Sequence, residues 1–68
     1  MALTWEDAED IAEHLRVAHP DVDPLGVRFT ELHGWVCALR EFADDPKASS
    51  EAKLERIQMA WVEQREDS

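Results

Sequence analysis

Apolar residues recur at helical spacing in three separate stretches of this 68-residue chain. In the first, Ala8, Ile11, Ala12 and Leu15 fall at i, i+3, i+4 and i+7, which makes one face of a helix. That helix is predicted over about residues 5–18, with Thr4 as its N-cap and Asp7 three residues on. Acidic residues crowd its first turns, where the helix dipole favours negative charge, and Pro20 ends it. Leu32, Trp35, Val36, Leu39 and Phe42 repeat the spacing and predict a second helix over about 31–42, capped by Thr30. Leu54, Ile57 and Trp61 mark a third, which starts after Ser49 or Ser50 and runs to about residue 64. Met59, Ala60 and Val62 widen its apolar surface beyond one stripe, leaving part of it to meet a partner. The closing Glu66-Asp67-Ser68 should fray.

The connections are short. Residues 21–26 read as a turn, in which Asp23-Pro24 opens one helical turn with the aspartate as cap and proline in the first position. Val27-Arg28-Phe29 reads as extended, a short strand fragment. Asp44-Asp45-Pro46 stops the second helix and nucleates another turn. With no strand pair, no repeat and no low-complexity linker, residues 1–68 form a single all-α domain, a compact arrangement of three helices.

Composition narrows what such a domain can do. At about this length only roughly 60% of the unfolded surface is buried, so stability is small. Sixteen acids against seven bases leave a formal charge of −9. That balance argues against the phosphate backbone of nucleic acids and against anionic lipid. It favours cations and basic protein surfaces, and it speeds encounter with them. The single Cys37 permits no internal disulfide and fits a reducing compartment. No basic segment leads into an apolar run, and none approaches the roughly 18 apolar residues of a membrane span, so a cytoplasmic location is expected.

On the first helix, Glu6, Glu9, Asp10 and Glu13 group on the side opposite the apolar face. Such a stripe has three uses: a solvated face that confers solubility, a docking surface for a basic patch, or a weak oxygen-ligand site for a divalent cation. One helix cannot surround an ion, so a bound cation would keep much of its water. In a second cluster, Glu41, Asp44 and Asp45, the residues have structural uses, since Asp45 caps the turn at Pro46 and Asp44 ends the helix before it. His33 and Cys37 lie four apart, but two ligands are too few for a metal site. His33 reads better as a packed imidazole beside Trp35, and Cys37 as a small apolar filler. His14 and His19 adjoin acids and default to solvent. Arg16 should be balanced by Glu13 or Glu9, while Arg28 either holds the turn through Asp23 or a carbonyl, or contacts a partner. There is no Gly-rich phosphate loop, no HExxH, no CxxC and no nucleophile elbow, so an enzyme is not expected.

One continuous stretch, residues 23–50, carries a family likeness. It runs Asp23-Pro24-x-x-Val27-Arg28-Phe29-Thr30, then Glu31-Leu32-His33-x-Trp35-Val36, then Phe42-x-Asp44-Asp45-Pro46-x-Ala48-Ser49-Ser50. Leu3-x-Trp5 before it, and Glu51, Leu54-Glu55-x-Ile57 and Trp61 after it, agree with the same pattern. In these positions the chain resembles the IscX family, small acidic proteins of bacterial iron–sulfur cluster assembly. His33 belongs to that pattern; Cys37 is not carried over as a ligand, and His19 stands where the family more often has tyrosine. The resemblance implies a winged-helix-like arrangement with the wing reduced or missing. It also implies docking on the cysteine desulfurase IscS, competition there with a frataxin-type protein, and loose binding of Fe²⁺ at acidic surface residues.

The expectation that follows is a monomeric, non-enzymatic acidic adaptor that regulates cluster assembly. Glu6, Glu9, Asp10 and Glu13 would supply the field and any weak Fe²⁺ site. Asp44, Asp45 and an edge near Trp61 would join them in partner contact. The alternative is an iron chaperone that delivers the metal itself, which requires a defined ligand shell. A degenerate DNA-binding helix-turn-helix is the third reading, and the net charge opposes it.

Overall fold

The computed structural model describes residues 2–67. Its elements are α1 (Ala8–Ala18), a 3-10 turn at Pro24–Gly26, α2 (Phe29–Cys37), a second 3-10 turn at Pro46–Ala48, and α3 (Glu51–Asp67). The all-α, three-helix class holds, and among the described residues the only β pairing is one parallel bridge, Leu3 with Phe42. No described helix is long and apolar enough to cross a membrane.

α1 packs chiefly on α3, and α2 closes one side of the pair. Ala8, Ile11, Ala12 and Leu15 of α1 are buried, as their spacing requires, and they meet Leu54, Ile57 and Trp61 of α3. α2 contributes Leu32 and Val36, while Trp35, Leu39 and Phe42 pack partly buried at the margin of the core. Two glutamines on α3 tie it to its neighbours. Gln58 Nε2 donates to Pro24 O at 2.8 Å, and Gln64 Nε2 donates to Glu9 O at 2.9 Å.

The first helix begins at Ala8, not near Trp5, because residues 3–7 are committed elsewhere. Leu3 N–H donates to Glu41 O at 2.7 Å, and Ala43 N–H donates to Leu3 O at 2.9 Å. Trp5 N–H donates to Asp44 Oδ2 at 3.1 Å, and its indole Nε1 donates to Asp45 O at 2.7 Å. The Trp5 side chain is only 1% exposed, and it meets Phe42 edge-on at 4.8 Å between ring centroids. Thr4 therefore does not cap α1. It closes a tight turn with Asp7, whose Oδ2 accepts from Thr4 N–H at 2.9 Å and from Thr4 Oγ1 at 3.2 Å.

The second helix also differs from its pattern. It starts at Phe29, with Arg28 extended before it, and Thr30 lies in its first turn without capping it. Val27 and Arg28 are extended but pair with no strand, so the expected strand fragment does not form. Helix α2 stops at Cys37, and single turns carry the chain on through Leu39 to Phe42. The reason is the bridge: a continued helix would close the backbone groups of residues 41 and 43 that Leu3 uses.

Both aspartate–proline turns form as expected. Asp23 Oδ1 accepts from Leu25 N–H at 3.1 Å, and Asp45 Oδ1 accepts from Lys47 N–H at 2.9 Å. Ser50 caps α3, its Oγ accepting from Lys53 N–H at 3.3 Å. α3 continues past Gln64 through Asp67, held by Gln64 and by Arg65 Nη1, which donates to Val22 O at 2.9 Å. The fraying expected at residues 66–68 falls on the helix end assigned as far as Asp67, and Ser68 lies outside the described residues.

Trp5→Ala removes a fully buried indole and strands the Asp45 carbonyl that it satisfies. The expected loss is about 3–5 kcal/mol, comparable with the roughly 3–10 kcal/mol available to a domain of this size. Urea unfolding followed by circular dichroism checks this, and a midpoint unchanged from the parent contradicts the anchoring role given to Trp5.

Candidate docking surface

The outer face of α1 carries Glu9, Asp10 and Glu13, all exposed. Their carboxylates make no ion pair among the described residues. Glu6, assigned to the same stripe from the sequence, lies in the turn before the helix and pairs with Lys53 Nζ at 3.4 Å. The stripe is therefore one ion-paired carboxylate followed by three that form no ion pair among the described residues. Arg16 does not balance it, because it forms no ion pair with Glu13 or Glu9.

Beside the start of α1, the middle of α3 completes an open groove of about 520 Å³. Glu6, Glu9 and Asp10 line one part of it, and Arg56, Met59 and Glu63 another. Met59 is 47% exposed. Sequence reasoning missed Glu63, although Met59 and Glu63 lie four apart and off the Leu54–Ile57–Trp61 face, so they share a side of the helix. At the other end of α1, Val17 follows Glu13 by four residues and is 68% exposed on the same side as the acids. An acidic face with an exposed apolar residue at each end is suited to docking on protein.

Metal binding finds less support. Among the described residues, no three His, Cys, Asp or Glu side chains converge closely enough to hold an ion. Iron drawn to the stripe would be held by the field and would keep most of its water.

Three other expected partner residues have internal work. Trp61 is 1% exposed and sits in the core, with Trp35 edge-on at 6.4 Å. It cannot anchor a partner, and Val17 and Met59 are the exposed apolar residues near the acids. Asp45 caps the Pro46 turn and offers its carbonyl to Trp5. Asp44 does not end a helix. It accepts from Trp5 N–H and, through Oδ1, from Asp45 N–H at 2.7 Å. Trp5 N–H first, then Asp45 N–H, hold the Asp44 carboxyl below its ordinary range; nearby Lys53 adds to this, and partial desolvation opposes it.

The imidazoles are structural too. His33 stacks on Trp5 at 5.4 Å, not on Trp35, and its Nε2 lies 2.7 Å from Pro46 O. A carbonyl only accepts, so Nε2 carries the proton and Nδ1 faces the Cys37 thiol at 3.9 Å. Burial pushes that thiol up from its ordinary value, away from nucleophile behaviour. His19 stacks on Trp35 at 4.2 Å, keeping a flat ring on that tryptophan. His14 links α1 to the turns after α2, with Nδ1 2.8 Å from Asp10 O and Nε2 3.7 Å from a Glu41 carboxylate oxygen. The turn-holding role considered for Arg28 belongs to Arg65, which reaches Val22 O and lies 3.8 Å from Asp23 Oδ1.

The chain as a whole is similar to known proteins. The family model described as iron–sulphur cluster assembly matches residues 3–66. An uncharacterized protein of Pseudomonas aeruginosa is 48% identical over 66 residues, covering 97% of this chain and 100% of its own length.

The environment of Asp44 sets a pH response. Its folded-state pKa lies below the ordinary value of 3.8, so its contribution to stability is full above that value and is lost as pH falls through the lower folded one. Asp44→Asn should therefore unfold more easily than the parent at neutral pH, with the difference shrinking below about pH 4. Thermal unfolding of both proteins between about pH 2.5 and about pH 7 measures this; a difference that does not vary with pH rejects the role.

Proposed function

The chain belongs to the iron–sulphur cluster assembly family, and on that premise we propose that it is a non-enzymatic acidic adaptor of the assembly machinery. It docks the outer face of α1 on a basic surface of the cysteine desulfurase IscS, in the cytoplasm and as a monomer. There it regulates sulfur delivery and competes with a frataxin-type acidic protein for the same positive patch. The observation that carries this reading is the set of exposed carboxylates on α1, Glu9, Asp10 and Glu13, that form no ion pair among the described residues.

Free carboxylates on a rigid helix, in a molecule of net charge −9, raise the rate of encounter with a positive surface. They also keep wrong, acidic partners away. The pairing sits at a solvated rim, so salt screens it, with a Debye length of about 8 Å at physiological ionic strength. Fe²⁺ gathered weakly along the face would lower its negative potential and so link docking to iron supply. The chaperone alternative needs a closed ligand shell, and no described cluster of donors supplies one.

Changing Glu9, Asp10 and Glu13 together to Lys should weaken desulfurase binding by at least about tenfold. The parent's affinity should fall steeply between about 0.05 M and about 0.3 M salt. The substitutions also oppose the helix dipole, at a stability cost of about 1 kcal/mol, so helical circular dichroism is recorded alongside. Folded variants that bind as tightly as the parent make the stripe a solubility face only. Anaerobic titration with Fe²⁺ should give weak, diffuse, salt-sensitive binding, whereas one tight site that survives moderate salt would instead support the iron chaperone.

A further inference from the structure

The acidic face does not stop at Glu13. Beyond it an open groove of about 520 Å³ separates the last turns of α1 from residues 38–41. Val17, Ala18, Ala38 and Leu39 give it an apolar floor, and Glu13, His14, Arg40 and Glu41 lie around it. Single exposed apolar residues are ordinary, but these are brought together from two parts of the chain. The far side is held in place. Leu39 N–H donates to Val36 O at 3.1 Å, Glu41 O accepts from Leu3 N–H at 2.7 Å, and the Glu41 carboxylate lies 3.7 Å from His14 Nε2. The groove thus exists before any partner arrives, and little ordering cost accompanies binding.

We infer that this groove is the apolar anchor of the docking face, receiving an aliphatic side chain that projects from the partner's basic surface. The inference rests on the docking reading above and adds the contact that confers residence time. Charge complementarity selects the occupant: Glu9, Asp10 and Glu13 lead directly to Val17 on one side of α1, so whatever fills the groove lies next to a surface that prefers cations. A second copy of this chain would bring its own −9 charge to the same place, which disfavours it as the occupant. The two parts of the face then act differently. Carboxylates govern approach and are screened by salt; the groove governs departure and is not.

Val17 is exposed, so replacing it leaves the core intact. Binding to purified cysteine desulfurase is measured for Val17→Ser, Val17→Ile and the triple-lysine variant, each at low and at moderate salt. Val17→Ser should weaken binding about fivefold to tenfold at both salt concentrations, through faster dissociation, while Val17→Ile binds as the parent does. Parent-like affinity of Val17→Ser beside a loss in the triple-lysine variant overturns the groove and leaves the docking reading standing. Parent-like affinity of the triple-lysine variant overturns the docking reading itself. Sedimentation of the protein alone is the remaining control: a dimer that Val17→Ser abolishes would assign the groove to a second copy and reject the inference.

Discussion

Burial of Trp5 is the interaction on which the rest of this small structure depends. A domain of this size has few large side chains with which to make a core, and Trp5 is one of two tryptophans that are fully buried. Its indole N–H and its backbone N–H both find partners inside, Asp45 O and Asp44 Oδ2 respectively. Those two bonds pull residues 44 and 45 against the start of the chain. The Leu3–Phe42 bridge and the Thr4–Asp7 turn are built in the same place. α1 consequently starts at Ala8, and α2 gives way to turns after Cys37.

That arrangement sorts the acidic residues into two kinds. Asp7, Asp23, Asp44 and Asp45 accept backbone N–H groups and shape turns. Among the described residues, Glu9, Asp10 and Glu13 form no such bonds through their side chains, and they face water from a helix tied down by Gln64 and the core. Self-repulsion among free carboxylates costs stability, which a marginal domain has little of. An acidic chain that retains them on one helix presents a negative surface there.

Local contacts made much of the architecture readable. The Ala8–Leu15 and Leu54–Trp61 stripes, the Asp23-Pro24 and Asp45-Pro46 turns and the Ser50 cap all involve residues a few positions apart, where spacing and cap chemistry govern the outcome. The docking side was readable in part. Helical periodicity is enough to put Glu9, Asp10, Glu13 and Val17 on one side, but not to say what lies across from them. Met59 and Glu63 became neighbours of Glu6 and Glu9 only through the packing of α3 on α1. Trp61 lies in the core, as its place on the Leu54–Ile57–Trp61 stripe required, so its ring offers no exposed edge for a partner.

The sequence by itself determined the all-α class, the faces that go inside, the family and the negative character of the exterior. Each depends on residue type and short-range spacing. Tertiary structure alone decided where α1 and α2 are cut short, that Asp44 and Asp45 serve Trp5, that His33 stacks on Trp5, and that Val17 borders a groove with Leu39. The bonds between Trp5 and the two aspartates span 39 and 40 residues. No local pattern encodes a pairing at that distance; it is selected when the whole chain finds the one packing that buries the indole and leaves neither of its N–H groups without an acceptor.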